Sequence, residues 1–129
     1  MNIGKAAKLS NLTVKTVRYY ANIGLVKPEQ NIFSGYREYT DEEVAKLKFI
    51  GKARKFDFSI NECKELLSLY EDKNRTSKEV KKITLEKISQ IDSKLNDLKD
   101  LRNELSFLAS NCHGDDKPNC PILDELSRN

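Results

Sequence analysis

The sequence predicts a mainly α-helical protein with an N-terminal winged helix-turn-helix, one long helix and a C-terminal loop. Three observations predict this fold. Two short helical segments lie in the first 22 residues, separated by a tight turn. A stretch bounded by Pro28 and Gly35 then predicts a hairpin. Residues 77–110 contain no Gly or Pro, and a loop with two cysteines follows them.

The charge of the chain is unevenly distributed. Residues 1–55 carry 11 Lys/Arg against 5 Asp/Glu, whereas residues 56–129 carry 12 against 15, within a net charge of +3. A basic N-terminal half favours nucleic acid as its partner. We find no apolar run long enough to cross a membrane and no leader-like start, so we expect a cytoplasmic protein without membrane contact.

The first two helices form a helix-turn-helix candidate. A helix over Ile3–Leu9 follows the possible cap Asn2, and a second, Val14 to about Asn22, is capped by Thr13 and ended by Gly24. We expect a small core of apolar side chains: Ala6, Leu9, Leu12, Val14 and Val17. The candidate DNA contacts lie on the second helix and its cap: Thr13, Lys15, Thr16, Arg18 and Tyr19. These residues alone would also fit an ordinary helical hairpin.

The next stretch predicts the wing. Two short strands, Leu25–Lys27 and Tyr36–Tyr39, flank the hairpin tip. Phe33 on this tip either packs into the wing core, which we favour, or exposes its ring. Tyr36 can lay its ring on the sugar and Arg37 can hold a phosphate. A helix-turn-helix followed by such a hairpin is a winged helix.

Two capping boxes predict two linking helices. They are Thr40 with Glu43 and Ser59 with Glu62. The first helix runs to about Lys55 and the second covers Ile60–Leu69. Arg54 and Lys55 close the turn between them and can add a DNA-backbone contact, while Cys63 is expected to be a buried small hydrophobe.

The long helix carries a narrow apolar stripe close to a heptad repeat. The stripe comprises Val80, Ile88, Ile91, Leu95, Leu98, Leu101, Leu105 and Leu108. A helix over 77–110 would be about 50 Å long, which is more than so short a chain can cover. We therefore expect a second copy to cover the stripe, and a monomeric helical bundle is the alternative.

The C-terminal loop holds two cysteines separated by seven residues. Gly114 and Pro118 bend the chain between Cys112 and Cys120, and Pro121 suits the first position of a short last helix. Two thiolates are too few for a tetrahedral zinc site but suit two-coordinate Cu(I). A divalent metal held with His113 or Asp115, a redox disulfide and a thiol enzyme using Cys112 with His113 are the alternatives.

The N-terminal motifs resemble those of the MerR family of transcription regulators. The resemblance rests on Leu12–Tyr20, Gly24–Val26, Pro28 and Gly35–Thr40, and it extends in order over residues 1–110. It implies a DNA-binding domain at 1–70, a dimerisation helix at 71–110 and a metal-binding loop with a short helix at 111–129. It further implies a homodimer with an antiparallel coiled coil that distorts double-stranded promoter DNA so that RNA polymerase can engage it, and no enzymatic activity.

The cysteine loop is similar to that of the copper-efflux regulators of that family. This resemblance implies that Cys112 and Cys120 bind Cu(I), or alternatively Ag(I) or Au(I), and that copper-efflux genes are activated. Relatives that bind divalent metals carry a third cysteine where this chain has Ser77. The wing departs from the family pattern, because the stretch 29–33 lacks the usual arginine, which predicts weaker anchoring of the wing.

Overall fold

The computed structural model describes residues 1–30 and 33–128, and it confirms a mainly helical fold with one small sheet. The elements are α1 Ile3–Ser10, α2 Val14–Asn22, β1 Glu29–Gln30, β2 Arg37–Glu38, α3 Asp41–Lys55, α4 Ile60–Glu71, α5 Ser77–Ser110 and α6 Pro121–Leu126. The chain divides into two compact units, Met1–Lys82 and Ile83–Asn129. The division falls within α5, so this helix contributes residues to both units.

Side-chain caps determine where the helices of the first unit begin. Asn2 accepts a hydrogen bond from the Lys5 N–H at 2.9 Å, and Thr13 accepts one from the Thr16 N–H at 3.1 Å. Reciprocal capping boxes open α3 and α4, formed by Thr40 with Glu43 and by Ser59 with Glu62. These caps satisfy backbone donors that a helix N-terminus leaves without a partner, and they confirm the predicted helix starts.

The core of the first unit lies between the helix-turn-helix and the two linking helices. Its largest fully buried side chains are Val17, Leu47, Ile50 and Cys63. The prediction of a small helix-turn-helix core is confirmed for Ala6 and Val17 but wrong for Leu9, which is 47% exposed. Leu9 lines an open cleft between the end of α1 and α3, so it is only partly covered.

The wing begins later than the sequence predicts. The N–H groups of Leu25 and Val26 donate to the Tyr20 carbonyl at 2.9 and 3.3 Å, so they close the end of α2 and do not pair in a sheet. Gly24, at φ +78°, makes this reversal possible. The first strand is instead β1, which pairs antiparallel with β2 in the register Glu29 with Glu38 and Gln30 with Arg37.

The prediction that Phe33 packs into the wing core is wrong, because its side chain is 98% exposed. The described wing is a single two-stranded sheet, which offers no second layer for a ring to pack against. Asn31 and Ile32, also in the stretch that departs from the family pattern, lie outside the described residues.

In the second unit, most of the predicted α5 stripe is exposed within the single chain. The exposed members are Ile88, Leu95, Leu98, Leu101 and Leu105. Two apolar residues of α6, Leu123 and Leu126, are exposed as well. A row of leucines open to water along one long helix is typical of a surface that another helix covers.

Candidate metal centre and nucleic-acid interface

The candidate DNA face on α2 consists of three exposed side chains. Lys15 and Arg18 are exposed, and Tyr19 is about half exposed with its ring tilted against that of Tyr20. No acidic residue lies in the first turn of α2. This face therefore offers a cation and a guanidinium next to an aromatic ring, which suits phosphates and base edges.

Thr13 and Thr16 serve the start of α2. The Thr13 hydroxyl accepts the Thr16 N–H and donates to the Thr16 hydroxyl at 2.8 Å. Each threonine hydroxyl still has a lone pair that can accept a further hydrogen bond. In this structure their contacts fix the beginning of the helix that carries Lys15 and Arg18.

The wing presents Tyr36 to solvent, with its side chain 75% exposed. The Tyr36 N–H donates to the Ser34 hydroxyl at 3.3 Å, and the Gln30 side chain donates to the Gly35 carbonyl at 3.4 Å. Arg37 lies in β2, and its side chain is outside the described part of the chain. The exposed Tyr36 ring fits the predicted contact with a sugar.

Arg54 contributes to the fold at the junction of α3 and α4. One of its guanidinium nitrogens donates to the Phe58 carbonyl at 2.8 Å, across the turn that Arg54 was expected to close. Burial raises the pKa of the Tyr20 hydroxyl, and the nearby positive charge of Arg54 offsets part of that rise. Arg54 retains other N–H donors for a DNA phosphate.

The two candidate metal ligands lie where helices end and begin. The Cys112 N–H donates to the Ala109 carbonyl at 3.2 Å, immediately after the last turn of α5. Cys120 occupies the N-cap position of α6, and Pro121 is the first residue of that helix. Both cysteines are half-buried free thiols.

The surroundings of Cys120 favour its thiolate form. The Leu123 N–H lowers the pKa of the Cys120 thiol, although it does not form a capping hydrogen bond of ordinary geometry. The Ile122 N–H and the nearby Cys112 thiol lower this pKa further, while partial burial and Asp124 oppose them. Cys112 is therefore near enough to Cys120 to influence its thiol.

The loop between the cysteines is stabilised by backbone turns. Gly114 adopts φ +62°, and the Asp115 carboxylate accepts the Lys117 N–H at 2.9 Å. His113 is exposed. Within residues 1–30 and 33–128, no three or more His, Cys, Asp or Glu side chains are grouped so that they could hold a metal ion. Cys112 and Cys120 remain the candidate metal ligands, and two thiols suit a soft two-coordinate ion.

Cys63, the third cysteine, lies in the other unit. It is fully buried, with its sulfur 3.9 Å from the Phe58 carbonyl. This position agrees with the prediction of a small hydrophobic residue. In the part of the chain that the structure describes, no helix is both long and apolar enough to cross a membrane.

Two family models match the chain and together cover most of it. The model described as "MerR HTH family regulatory protein" matches residues 1–70, and that described as "MerR, DNA binding" matches residues 44–108. The first corresponds to the helix-turn-helix, wing and linking helices, and the second continues along α5.

Full-length relatives are similar over almost the whole chain. The transcriptional regulator HmrR of Rhizobium leguminosarum bv. viciae is 49% identical, over 98% of each chain. The transcriptional regulator CueR of Salmonella typhimurium is 42% identical, over 98% of this chain and 92% of that one. The solved structure of PbrR691 from Ralstonia metallidurans CH34, in complex with lead(II), is 29% identical with a TM-score of 0.83, over 98% and 99% of the two chains.

The matched models span the described DNA-binding unit and the long helix, and the relatives match from end to end. The names of these relatives describe regulators of transcription and no enzyme. The chain therefore belongs to the MerR family of DNA-binding transcription regulators.

Proposed function

We propose that this protein is a Cu(I)-responsive transcription activator that binds promoter DNA as a homodimer and distorts it when the metal binds. The observation that carries the proposal is the thiol pair of Cys112 and Cys120, which lies just after the long helix of a DNA-binding regulator. The similarity to CueR and HmrR, both named as transcriptional regulators, supports it. The genes controlled would be those for copper efflux.

The chemistry of the thiol pair favours a monovalent soft ion. Cu(I) accepts two thiolates in linear coordination, and Ag(I) and Au(I) share this preference for soft ligands. One such ion bound to two thiolates leaves a single negative charge. The Leu123 and Ile122 N–H groups, which already favour the Cys120 thiolate, would stabilise that charge. Ser77, in place of a third cysteine, supplies no further soft ligand.

On the DNA side, α2 enters the major groove, so that Lys15, Thr16, Arg18 and Tyr19 meet bases and phosphates. Thr13 and Arg54 face the backbone beside it, and Tyr36 with Arg37 places the wing on the next stretch of backbone. The α5 stripe of one protomer covers that of its partner in an antiparallel coiled coil, which sets the spacing of the two α2 helices on the operator.

Metal binding would be transmitted through the C-terminal segment. An ion held by both cysteines links the end of α5 to the start of α6. The exposed Leu123 and Leu126 of α6 can then pack on apolar surface of the dimer. This change shifts the dimer towards a form that bends and untwists the promoter, which lets RNA polymerase engage both of its recognition elements.

Transcription in vitro with purified polymerase and a promoter selected by the wild-type protein tests this proposal. We expect Cu(I) to raise transcript yield with the wild type, and Cys112→Ser or Cys120→Ser to abolish the increase while DNA binding stays unchanged. Cys63→Ala is the matched control, because Cys63 lies in the other unit, and it should keep the response. Copper activation that survives in both loop variants would contradict the proposal.

A second candidate is a MerR-type regulator that senses thiol redox state or a divalent metal through the same cysteines. The influence of the Cys112 thiol on the pKa of Cys120 supports the redox form, because it indicates that the two thiols lie near each other. The structural similarity to the lead(II) complex of PbrR691 favours the divalent form. Metal-free transcription assays under air and under nitrogen separate the redox form, because only a disulfide sensor would respond to air alone.

A further inference from the structure

A cleft in the first unit lies between the end of α1, the α1–α2 turn and one face of α3. Three lysines of α3, Lys48, Lys52 and Lys55, line it together with Leu9 and Leu12. The lysines are spaced by four and three residues, so they follow one face of the helix. All three are exposed, and none of the described residues that line the cleft carries a carboxylate. This lysine row is therefore a concentrated positive surface with an apolar floor.

The lysine row has no ion-pair partner within residues 1–30 and 33–128. Lys46, on another face of α3, behaves differently: its ammonium lies 3.0 Å from the Glu71 carboxylate and 4.0 Å from that of Glu42. The Glu71 hydrogen bond raises the pKa of Lys46. One lysine of α3 thus neutralises carboxylates within the fold, whereas the row keeps three positive charges available for an external anion.

The position of the row relative to α2 follows from the close approach of α3 to the turn. A Cβ atom at Gly51 would lie 3.4 Å from Leu12 Cδ2, so the α3 backbone lies directly against the residue that leads into Thr13 and α2. In a helix-turn-helix, the N-terminal part of the second helix meets the bases while the first helix crosses the DNA backbone. The lysine row therefore lies beside the point at which the chain reaches the duplex.

The wing carries negative charge at its base, so a second surface that anchors the DNA backbone would strengthen binding. The β1–β2 register places Glu29 directly opposite Glu38, so the base of the wing carries two carboxylates. These two negative charges repel the phosphates of the DNA backbone as well as each other. The wing also lacks the arginine expected before Gly35. The lysine row can supply positive charge for backbone anchoring in place of that arginine.

We propose that Lys48, Lys52 and Lys55 bind phosphates of the DNA backbone beside the site where α2 enters the major groove. Lysine suits this role, because its ammonium is a compact charge on a flexible stem that can follow the curved backbone. The exposed part of Leu9 and the side chain of Leu12 lie where methylene stems or deoxyribose can cover them. The inference rests on the DNA-binding function of the family and extends the surface that carries it.

The test measures the salt dependence of DNA affinity with a random-sequence duplex several helical turns long. The full-length triple variant Lys48→Gln, Lys52→Gln, Lys55→Gln is compared with Lys73→Gln, Lys78→Gln, Lys81→Gln, which removes the same charge from exposed lysines beyond the end of α4. We expect the slope of log affinity against log salt to fall by about one for each phosphate that the first variant no longer binds. The control should keep the wild-type slope.

An unchanged slope in the cleft variant, or an equal fall in both variants, would overturn the inference while leaving DNA binding itself intact. Failure of the wild type to bind any duplex would instead refute the underlying function. A poly-glutamate peptide is the second probe. If the peptide bound the wild type but bound the cleft variant less tightly, and the DNA slope of that variant was unchanged, the cleft would bind an acidic protein segment and the proposal would be wrong.

Discussion

Gly24 shows how one residue determines the path of the chain between α2 and the wing. It adopts φ +78°, a conformation that is costly for a residue with a Cβ atom. The turn it makes lets Leu25 and Val26 donate to the Tyr20 carbonyl and brings Val26 into the core, where it is buried. The direction of the wing therefore depends on this glycine.

We expect Gly24→Ala to lower the free energy of unfolding by about 1–2 kcal/mol, because alanine is strained at positive φ. Gly4→Ala is the matched control. Gly4 lies within α1, and a Cβ atom there would meet the Asn2 side chain at an ordinary 3.5 Å. Alanine at this position should raise the free energy of unfolding by about 0.5–1 kcal/mol. Urea unfolding at one fixed protein concentration measures both changes. If both variants changed the free energy of unfolding in the same direction, this explanation would be contradicted.

Residue-level features were predictable from the sequence where the signal was local. The caps Asn2, Thr13, Thr40 and Ser59 were predictable because a cap and its partner lie three residues apart. Phe33 was not, because its exposure depends on whether another layer covers the wing. The N–H groups that act on Cys120 follow from Pro121 starting a helix, but the approach of Cys112 to Cys120 requires the folded loop.

At the level of elements, α5 differs from the other helices because most of its apolar stripe is exposed within one chain. Leu98, in the middle of the stripe, is 62% exposed. Burying apolar surface contributes about 25 cal/mol per Å², so a continuous stripe of leucines is a strong drive to associate. The spacing of the apolar residues predicted the stripe. That a second copy of the chain covers it stays a prediction, because a single chain shows only that the stripe is exposed.

We expect the paired change Leu98→Asp and Leu101→Asp to convert the dimer to a monomer, because it would bury carboxylates in the helix interface. Sedimentation velocity measures the change. Asn96→Asp with Asn103→Asp is the control, since it adds the same charge on the opposite face of α5. A control that dissociates equally, or a stripe variant that remains dimeric, would show that this stripe is not the dimer interface.

The strand β1 is the element that the sequence misplaced. Leu25–Lys27 has the composition of a strand, and local pattern gives no sign that its N–H groups are used at the end of α2. Of the lysine row of α3, only Lys55 was predictable, as a possible backbone contact beside Arg54. Lys48 and Lys52 look like ordinary solvated residues until the fold places them against the α1–α2 turn.

At the scale of the whole molecule, we expect the basic first half to bind DNA and the cysteine loop to sense the metal. The candidate DNA-binding residues all lie in the unit Met1–Lys82, whereas both loop cysteines lie in the unit Ile83–Asn129. α5 contributes to both units, and dimerisation along it would connect each sensor to the pair of DNA-binding domains. Such coupling requires that the metal bind one form of the dimer more tightly than the other.

An anaerobic competition titration of Cu(I) and then Zn(II), in chelator buffers, tests the central claim most directly. We predict one tightly bound Cu(I) per protomer, little competition from Zn(II), and loss of Cu(I) binding in Cys112→Ser with retention in Cys63→Ala. Two thiolates satisfy Cu(I) but leave a tetrahedral divalent ion short of ligands. Zn(II) binding of comparable affinity, or Cu(I) binding that survives Cys112→Ser, would contradict a two-thiolate Cu(I) sensor.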